Sequence, residues 1–245
     1  MKIQTVVNRL RKSTRSLDFA APVTHVYAPL DYASQAVDLY LEKYARKGVE
    51  ALFLGMNPGP WGMAQTGIPF GEVDHVRRFL HIDCAVGRPK SEHPRRPVEG
   101  FQCQRSEVSG RRLWGWVESR FETAEEFFDR FFVWNWCPLA FLEETGRNRT
   151  PDKLPATERQ ALEEICDSAL CGVVDCIEPA RVIGIGAYAK KRAERALKGR
   201  RIQVDTILHP SPASPMANRG WAPQAEAQLQ AMGVPLGGAA AGSAK

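Results

Sequence analysis

VEALFLGMNPGPWGMAQTGIPFGEV, residues 49–73, runs from an apolar segment straight into a long loop. Val49–Leu54 is apolar but for Glu50, and Ala51–Leu54 has the length of a buried strand. The nineteen residues that follow, 55–73, carry five glycines and one charged side chain, Glu72, in a chain that is 25% charged. Ordinary surface loops are short and polar, so this one reads as the lining of a cavity. Glycine lets a ligand come close to the backbone, and proline stiffens a loop that must hold a shape.

The rest of the chain repeats the theme of short apolar runs separated by longer amphipathic stretches. Runs at Ala51–Leu54, Phe131–Trp136, Arg181–Ile185 and Ile202–Leu208 have strand length. Helical patterns fill Tyr32–Lys47, Glu72–His81, Arg111–Arg120, Ala124–Arg130, Pro155–Ile177 and Tyr188–Leu197. Thr123 followed by Glu126 predicts a capping box for the helix beginning at Ala124. Strands joined by helix-length crossovers require a parallel sheet covered on both faces. The expected fold is a three-layer α/β/α sandwich around a four-stranded, mainly parallel sheet, one domain over residues 1–232. Gly87–Gly110, rich in Pro, Arg and Ser, reads as a long surface loop, and 233–245 as a disordered tail.

Composition narrows the class. With 245 residues and 44% hydrophobic content the chain builds a full core. No stretch approaches the roughly 20 apolar residues of a membrane span, and the basic start MKIQTVVNRLRKSTRS lacks the apolar core of a secretory signal. Six cysteines include no C-x-x-C pair. Cys166, Cys171 and Cys176 recur every fifth residue, and on a helix each such step turns about 140°, off any common face. They read as free thiols in a reducing compartment. The formal charge is +5, and basic clusters at Arg95–Arg96, Arg111–Arg112, Lys190–Arg192 and Lys198–Arg201 make a polyanionic partner plausible.

In open α/β sheets ligands bind beyond the carboxyl ends of the strands. Three loops leaving predicted strands are chemically unusual: GMNPGP, WNWCPL and HPSPASPMANRGW. Asn57 and Gly59 have an ordinary reading as turn residues, and Phe70 as core. Asn135 is harder to explain, because an amide inside FFVWNWCPL needs buried partners or a ligand. His209 leaves a strand directly into a rigid Pro-Ser-Pro and is held with little freedom.

Taken together, GMNPGPWGMAQTGIPFGEV, VWNWCPLAF and HPSPASPMANRGW resemble the signature segments of the single-strand-selective monofunctional uracil-DNA glycosylases, a branch of the uracil-DNA glycosylase superfamily. The resemblance implies a hydrolase that removes uracil from DNA and initiates base excision repair, with no cofactor and no metal. It implies that Asn57 positions the hydrolytic water and that His209 donates to uracil O2 as the glycosidic bond breaks. Asn135 would read the Watson–Crick edge, Phe70 would stack on the flipped base, and the backbone at Met56 would add donors. Gly59 would leave room beside C5, which suits 5-hydroxymethyluracil. Ser211, Pro212, Ala213, Ser214, Pro215, Met216, Asn218 and Arg219 would contact DNA or wedge into its stack. Trp61 stands where vertebrate members carry Phe. The three loops contain no lysine, which fits a monofunctional enzyme that makes no Schiff base. DNA is the implied partner of a monomer, intracellular, cytoplasmic in a bacterium or nuclear in a eukaryote.

Two other functions use the same residues: excision of another deaminated base such as xanthine or hypoxanthine, and non-catalytic DNA binding. Gly184-Ile185-Gly186 lacks the third glycine of a dinucleotide fingerprint, Ala189 standing in its place. Asp74, His75, His81 and Asp83 suggest a metal, but six residues separate the histidines and put them on different helical faces.

Overall fold

The computed structural model describes residues 1–236. In chain order the elements are α1 (Ile3–Thr14), β1 (Val23–Tyr27), α2 (Pro29–Tyr32), α3 (Ser34–Tyr44), β2 (Ala51–Gly55), α4 (Met63–Thr66), α5 (Val73–Arg78), α6 (Val108–Arg120), α7 (Ala124–Arg130) and β3 (Phe131–Asn135). There follow β4 (Ala140–Glu143), β5 (Asn148–Arg149), α8 (Ala156–Ile177), β6 (Arg181–Ile185), α9 (Ala187–Ala196), β7 (Gln203–Ile207), α10 (Pro215–Asn218) and α11 (Trp221–Ala231).

Four strands form one sheet in the order β3-β2-β6-β7, parallel throughout. Every residue of β2 and β3 is buried, as covering both faces demands. Helices flank this sheet: α9 lies on β6 and β7 and is backed by α8, while α11 packs on β7 and α6. The chain enters at β2, moves outward to β3, then crosses back over β2 to β6. That reversal opens a crevice at the carboxyl ends of β2 and β6, the place where such sheets bind ligands.

All four expected strands are present, and the Thr123 cap forms: its hydroxyl accepts from Glu126 N–H at 3.2 Å. The reciprocal bond goes to a neighbour, Glu126 Oε2 accepting from Glu122 N–H at 2.9 Å. The expected helix Tyr32–Lys47 is present as the shorter α3, Ser34–Tyr44, set off at Ala33 from the one-turn α2 that precedes it.

Three features depart from the sequence reading. A second, antiparallel sheet of order β1-β4-β5 stands beside the first; its strands are at most five residues long, too short for alternation to register. The segment 87–110 is no surface loop throughout, since His93, Val98, Phe101 and Cys103 are buried. The tail expected from Gly233 is ordered at its start: Val234 is buried in the core and its N–H donates to Leu229 O at 3.0 Å. Residues 237–245 of that segment lie outside the described residues. Among the described residues no helix is long and apolar enough to cross a membrane, and all six cysteines are unpaired.

Candidate active site

The carboxyl ends of β2, β3 and β7 open on one cavity of about 380 Å³, to which Met56, Asn57, Gly59, Phe70, Asn135, His209, Ser211 and Pro212 all contribute. The three unusual loops therefore meet, although they lie far apart in sequence.

β2 and β3 pair to their last residues, Gly55 opposite Asn135, and the ladder runs on as Cys137 N–H donates to Met56 O at 2.8 Å. Asn135 is 4% exposed. Its amide nitrogen donates to the Met63 thioether at 3.1 Å, and its oxygen is buried with no partner in the protein. A buried amide oxygen left unpaired costs about 1–3 kcal/mol, a cost that a ligand donor removes. Gly55 makes this arrangement possible. A β-carbon there would come within 2.6 Å of the Phe70 ring and closer still to Asn135 Oδ1.

Phe70 has φ +54, a left-handed backbone that costs a non-glycine residue on the order of 1–3 kcal/mol. Its carbonyl accepts from Glu72 N–H at 2.7 Å, and Trp114 Nε1 pins the preceding residue by donating to Pro69 O at 3.3 Å. This turn sends the ring into the cavity, where its centroid lies 6.2 Å from that of His209. Strain held in place by its surroundings at a pocket wall is a mark of a working site.

His209 follows β7, and the residue before it is fixed by α11. Leu208 N–H donates to Gln228 Oε1 at 2.7 Å and Trp221 Nε1 donates to Leu208 O at 2.6 Å. Burial lowers the His209 pKa to about 4, so the ring is neutral at physiological pH and donates through one N–H. Asn57 turns its amide nitrogen to Leu139 O at 3.2 Å. A carbonyl only accepts, so this bond fixes the amide and leaves its oxygen to the cavity.

Beyond Pro212 the last loop leaves the cavity. Met216 is 56% exposed, on a loop braced from beneath: Arg112 donates to Pro210 O at 3.1 Å and to Asn218 Oδ1 at 2.8 Å. Asn218 in turn donates to Pro212 O at 2.8 Å, so its amide is spent inside the loop. Ser214 caps α10, its hydroxyl accepting from Ala217 N–H. Ala213, Pro215 and Arg219 are exposed.

Glu107 is a cavity residue that the sequence reading missed. It precedes α6 and accepts from Trp61 N–H at 3.3 Å. The room expected beside Gly59 is filled by its carboxyl group: a β-carbon on Gly59 would lie 2.5 Å from Oε1 and closer to Oε2, and one on Gly62 would lie 2.9 Å from Cδ. Burial pushes the Glu107 pKa up to about 7, against the pull of the Trp61 and Gly62 N–H groups and with the Glu72 charge adding to the rise. A group protonated more readily in the folded than the unfolded state loses its stabilisation as pH rises through its folded pKa. Between pH 4.5 and 7 the fold therefore loses on the order of 3 kcal/mol at this position. Glu107→Gln is expected to melt several degrees above the parent protein at pH 8, at roughly 2–4 °C per kcal/mol. The difference should close towards pH 5; a constant difference would mean that the carboxyl does not titrate in this range.

Asn148, on β5, was missed as well, and Arg112, read from sequence only as half of a basic pair, is a brace of the last loop. Asn148 donates to Pro58 O at 3.3 Å and also lines the cavity. Isolated in a short polar stretch, it gives no periodic or compositional signal.

The basic clusters divide. Arg192 is 3% exposed, paired with Glu163 at 2.7 Å and Asp167 at 2.5 Å, so it offers nothing to a polyanion. Arg96, and with it Arg105, instead lies over the Trp61 ring, 5.1 Å and 4.4 Å respectively from its centroid. Glu72, Asp74 and His75 bring their ligand atoms within 4.8 Å of one another. The pairing differs from the His75–His81 one considered from sequence, because Glu72 caps α5 and receives His75 N–H at 3.2 Å. Burial opposes ionisation of Glu72, yet hydrogen bonds from His75 and Ser106 hold its pKa down to about 2.

A sheet of this order, ending in a cavity with a buried amide, a neutral histidine and a strained aromatic ring, matches known proteins. The profile of the uracil DNA glycosylase superfamily matches residues 42–231. The single-strand selective monofunctional uracil-DNA glycosylase of Rattus norvegicus is 48% identical over 92% of this chain and 82% of its own length. That of Bos taurus is 46% identical over 92% of this chain and 84% of its own. The crystal structure of wild-type Pedobacter heparinus SMUG2 shares the fold, with a TM-score of 0.65 at 17% identity, covering 93% of this chain and 97% of that one. The chain belongs to the uracil-DNA glycosylase superfamily and, within it, to the single-strand-selective monofunctional uracil-DNA glycosylases.

Proposed function

We propose that the cavity takes a uracil flipped out of DNA, with Asn135 reading its Watson–Crick edge, Phe70 stacking on its face, His209 donating to O2 and Asn57 holding the attacking water. The chain is a monofunctional uracil-DNA glycosylase, a hydrolase of N-glycosyl bonds that initiates base excision repair. The observation that carries the assignment of roles is the unpartnered oxygen of Asn135, buried at the end of a parallel strand. Uracil N3–H is the donor it lacks, and the amide nitrogen on the same group suits uracil O4.

The chemistry follows from the groups. A glycosylase acting on DNA must take its base out of the stack. The C1′–N1 bond breaks with its electron pair leaving on uracil, so the transition state carries negative charge at O2 and positive charge on the sugar. His209, neutral and preorganised in a partly desolvated wall, stabilises that oxygen without reorganisation. Asn57 has no basic group and acts by placing water. Exposed Met216, in a loop stiffened by Pro212 and Pro215 and braced by Arg112, is the side chain best suited to fill the gap in the stack. Ser211 and Pro212 sit at the mouth between cavity and wedge. The protein acts as a monomer inside the cell.

Release of uracil from an oligonucleotide, read as strand cleavage after alkali, should proceed in EDTA. Loss of release on chelation, restored by a divalent ion, would overturn the metal-free mechanism. A panel of single-lesion oligonucleotides ranks uracil against 5-hydroxymethyluracil, xanthine and hypoxanthine. Salt-sensitive DNA binding with no base released would leave a binding protein in place of an enzyme.

A further inference from the structure

Two amides, from different sheets, converge on one carbonyl. Asn57 follows β2 of the parallel sheet, and its Nδ2 lies 3.5 Å from Pro58 O as well as 3.2 Å from Leu139 O. Asn148 stands on β5 of the antiparallel sheet, and its Nδ2 donates to the same Pro58 O at 3.3 Å. With both nitrogens turned to carbonyls, both amide oxygens are left as acceptors. Both residues line the cavity. Asn148 Oδ1 is buried and has no partner in the protein, the same condition as Asn135 Oδ1 on the base-reading side. A buried acceptor beside a polar cavity calls for a small donor, and a water held there needs two or more polar partners.

We propose that Asn148 is a second catalytic amide, its oxygen and that of Asn57 each accepting one proton of the hydrolytic water. The inference rests on the reading of Asn57 given above. Two acceptors fix both O–H bonds of the water and so aim its lone pair, where one acceptor leaves it free to swing. The water oxygen bonds to C1′ as the C1′–N1 bond breaks, with the electron pair leaving on uracil. The proton shed by the bound water passes to the uracil anion or to solvent, because neither amide is basic enough to keep it. Asn148 also braces Pro58 and thereby the turn that carries Asn57, so the test must separate contact with water from support of the loop.

Two substitutions do so in single-turnover assays on a uracil oligonucleotide. Asn148→Ala removes both the brace and the acceptor, and a misplaced nucleophile slows chemistry by about 10–100-fold. Asn148→Asp removes the donor to Pro58 but keeps an acceptor at the same place. If the oxygen serves the water, Asn148→Asp is faster than Asn148→Ala and acquires a rise of rate with pH, as its carboxyl ionises, that the parent protein lacks. Affinity for an oligonucleotide carrying uncleavable 2′-fluoro-2′-deoxyuridine stays within a few-fold in both. An aspartate variant as slow as the alanine one, with no new titration, would reduce Asn148 to a loop brace and overturn the proposal. So would an alanine variant at the parent rate. Failure of the parent protein to release uracil would strike the glycosylase reading instead, and the two failures are thus distinguishable.

Discussion

His209→Ala is expected to slow single-turnover release of uracil by about 10²–10³-fold, the loss that follows removal of one preorganised donor to a developing oxyanion. The group removed is neutral, since burial lowers the His209 pKa to about 4. The defect should therefore be constant between pH 6 and 8, where no charge on the ring changes. The low pKa has a second consequence for stability. The unfolded chain takes up a proton near 6.5 and the folded one only near 4, so stability is full above pH 6.5 and drains away as pH falls through that window. His209→Ala removes this acid sensitivity while it removes activity. Leaving-group ability separates His209 from Asn57. With 5-fluorouracil, whose anion is the more stable, less help is needed at O2, and His209→Ala recovers part of its loss. Asn57→Ala, which misplaces water, recovers less. Equal recovery in the two variants would contradict this division of roles.

Gly55→Ala is expected to cost at least as much, although it adds a single methyl group and removes nothing. The new carbon would lie 2.6 Å from the Phe70 ring and nearer to Asn135 Oδ1, below any permitted contact. Neither neighbour yields cheaply. Asn135 sits on a fully buried strand in register with Gly55 itself, and Phe70 is already held in a left-handed backbone that its turn fixes. The clash displaces the amide and the ring together, the two groups proposed to recognise the base. Uracil release should drop by 10²-fold or more, on the measure that about 1 Å of misplacement costs that much. Thermal stability should fall as well, because overpacking a tight interior costs about 1–3 kcal/mol. Gly55→Ala with near-parent activity would show that the floor of the cavity is softer than its contacts imply.

The parallel sheet was legible because its strands are short apolar runs bounded by turn residues, and each was found within a residue or two of its observed ends. The meeting of the three loops was legible too, as a corollary of the rule that sites gather at the carboxyl ends of strands. Asn135 stood out because its polarity contradicts its surroundings. Glu107 did not, since a glutamate ahead of a helix is ordinary in any sequence, and only the fold shows it folded under Gly59 and Gly62. Asn148 was hidden for a related reason: its significance lies in a carbonyl ninety positions away in the chain. α1 left a plain signal in Ile3, Val6, Val7 and Leu10, spaced for one helical face and all buried, but the basic residues between them drew attention to targeting instead. α11 presents Trp221, Ala225 and Leu229 at intervals of four, a pattern obscured by the proline at 223.

The junction between the two sheets has a bearing on how such a protein changes over generations. On the proposed reading, Gly55 and Asn135, which shape and read the base pocket, end β2 and β3 of the parallel sheet, whereas Leu139, just before β4, and Asn148, on β5, which steady and complement Asn57, come from the small antiparallel one. On that division, mutations in β4 or β5 would retune how fast the bond is cut while the base admitted stays the same, and changes at the end of β3 would shift the diet of the enzyme while Asn57 and His209 stay put. Selection can thus act on appetite and on speed along separate axes.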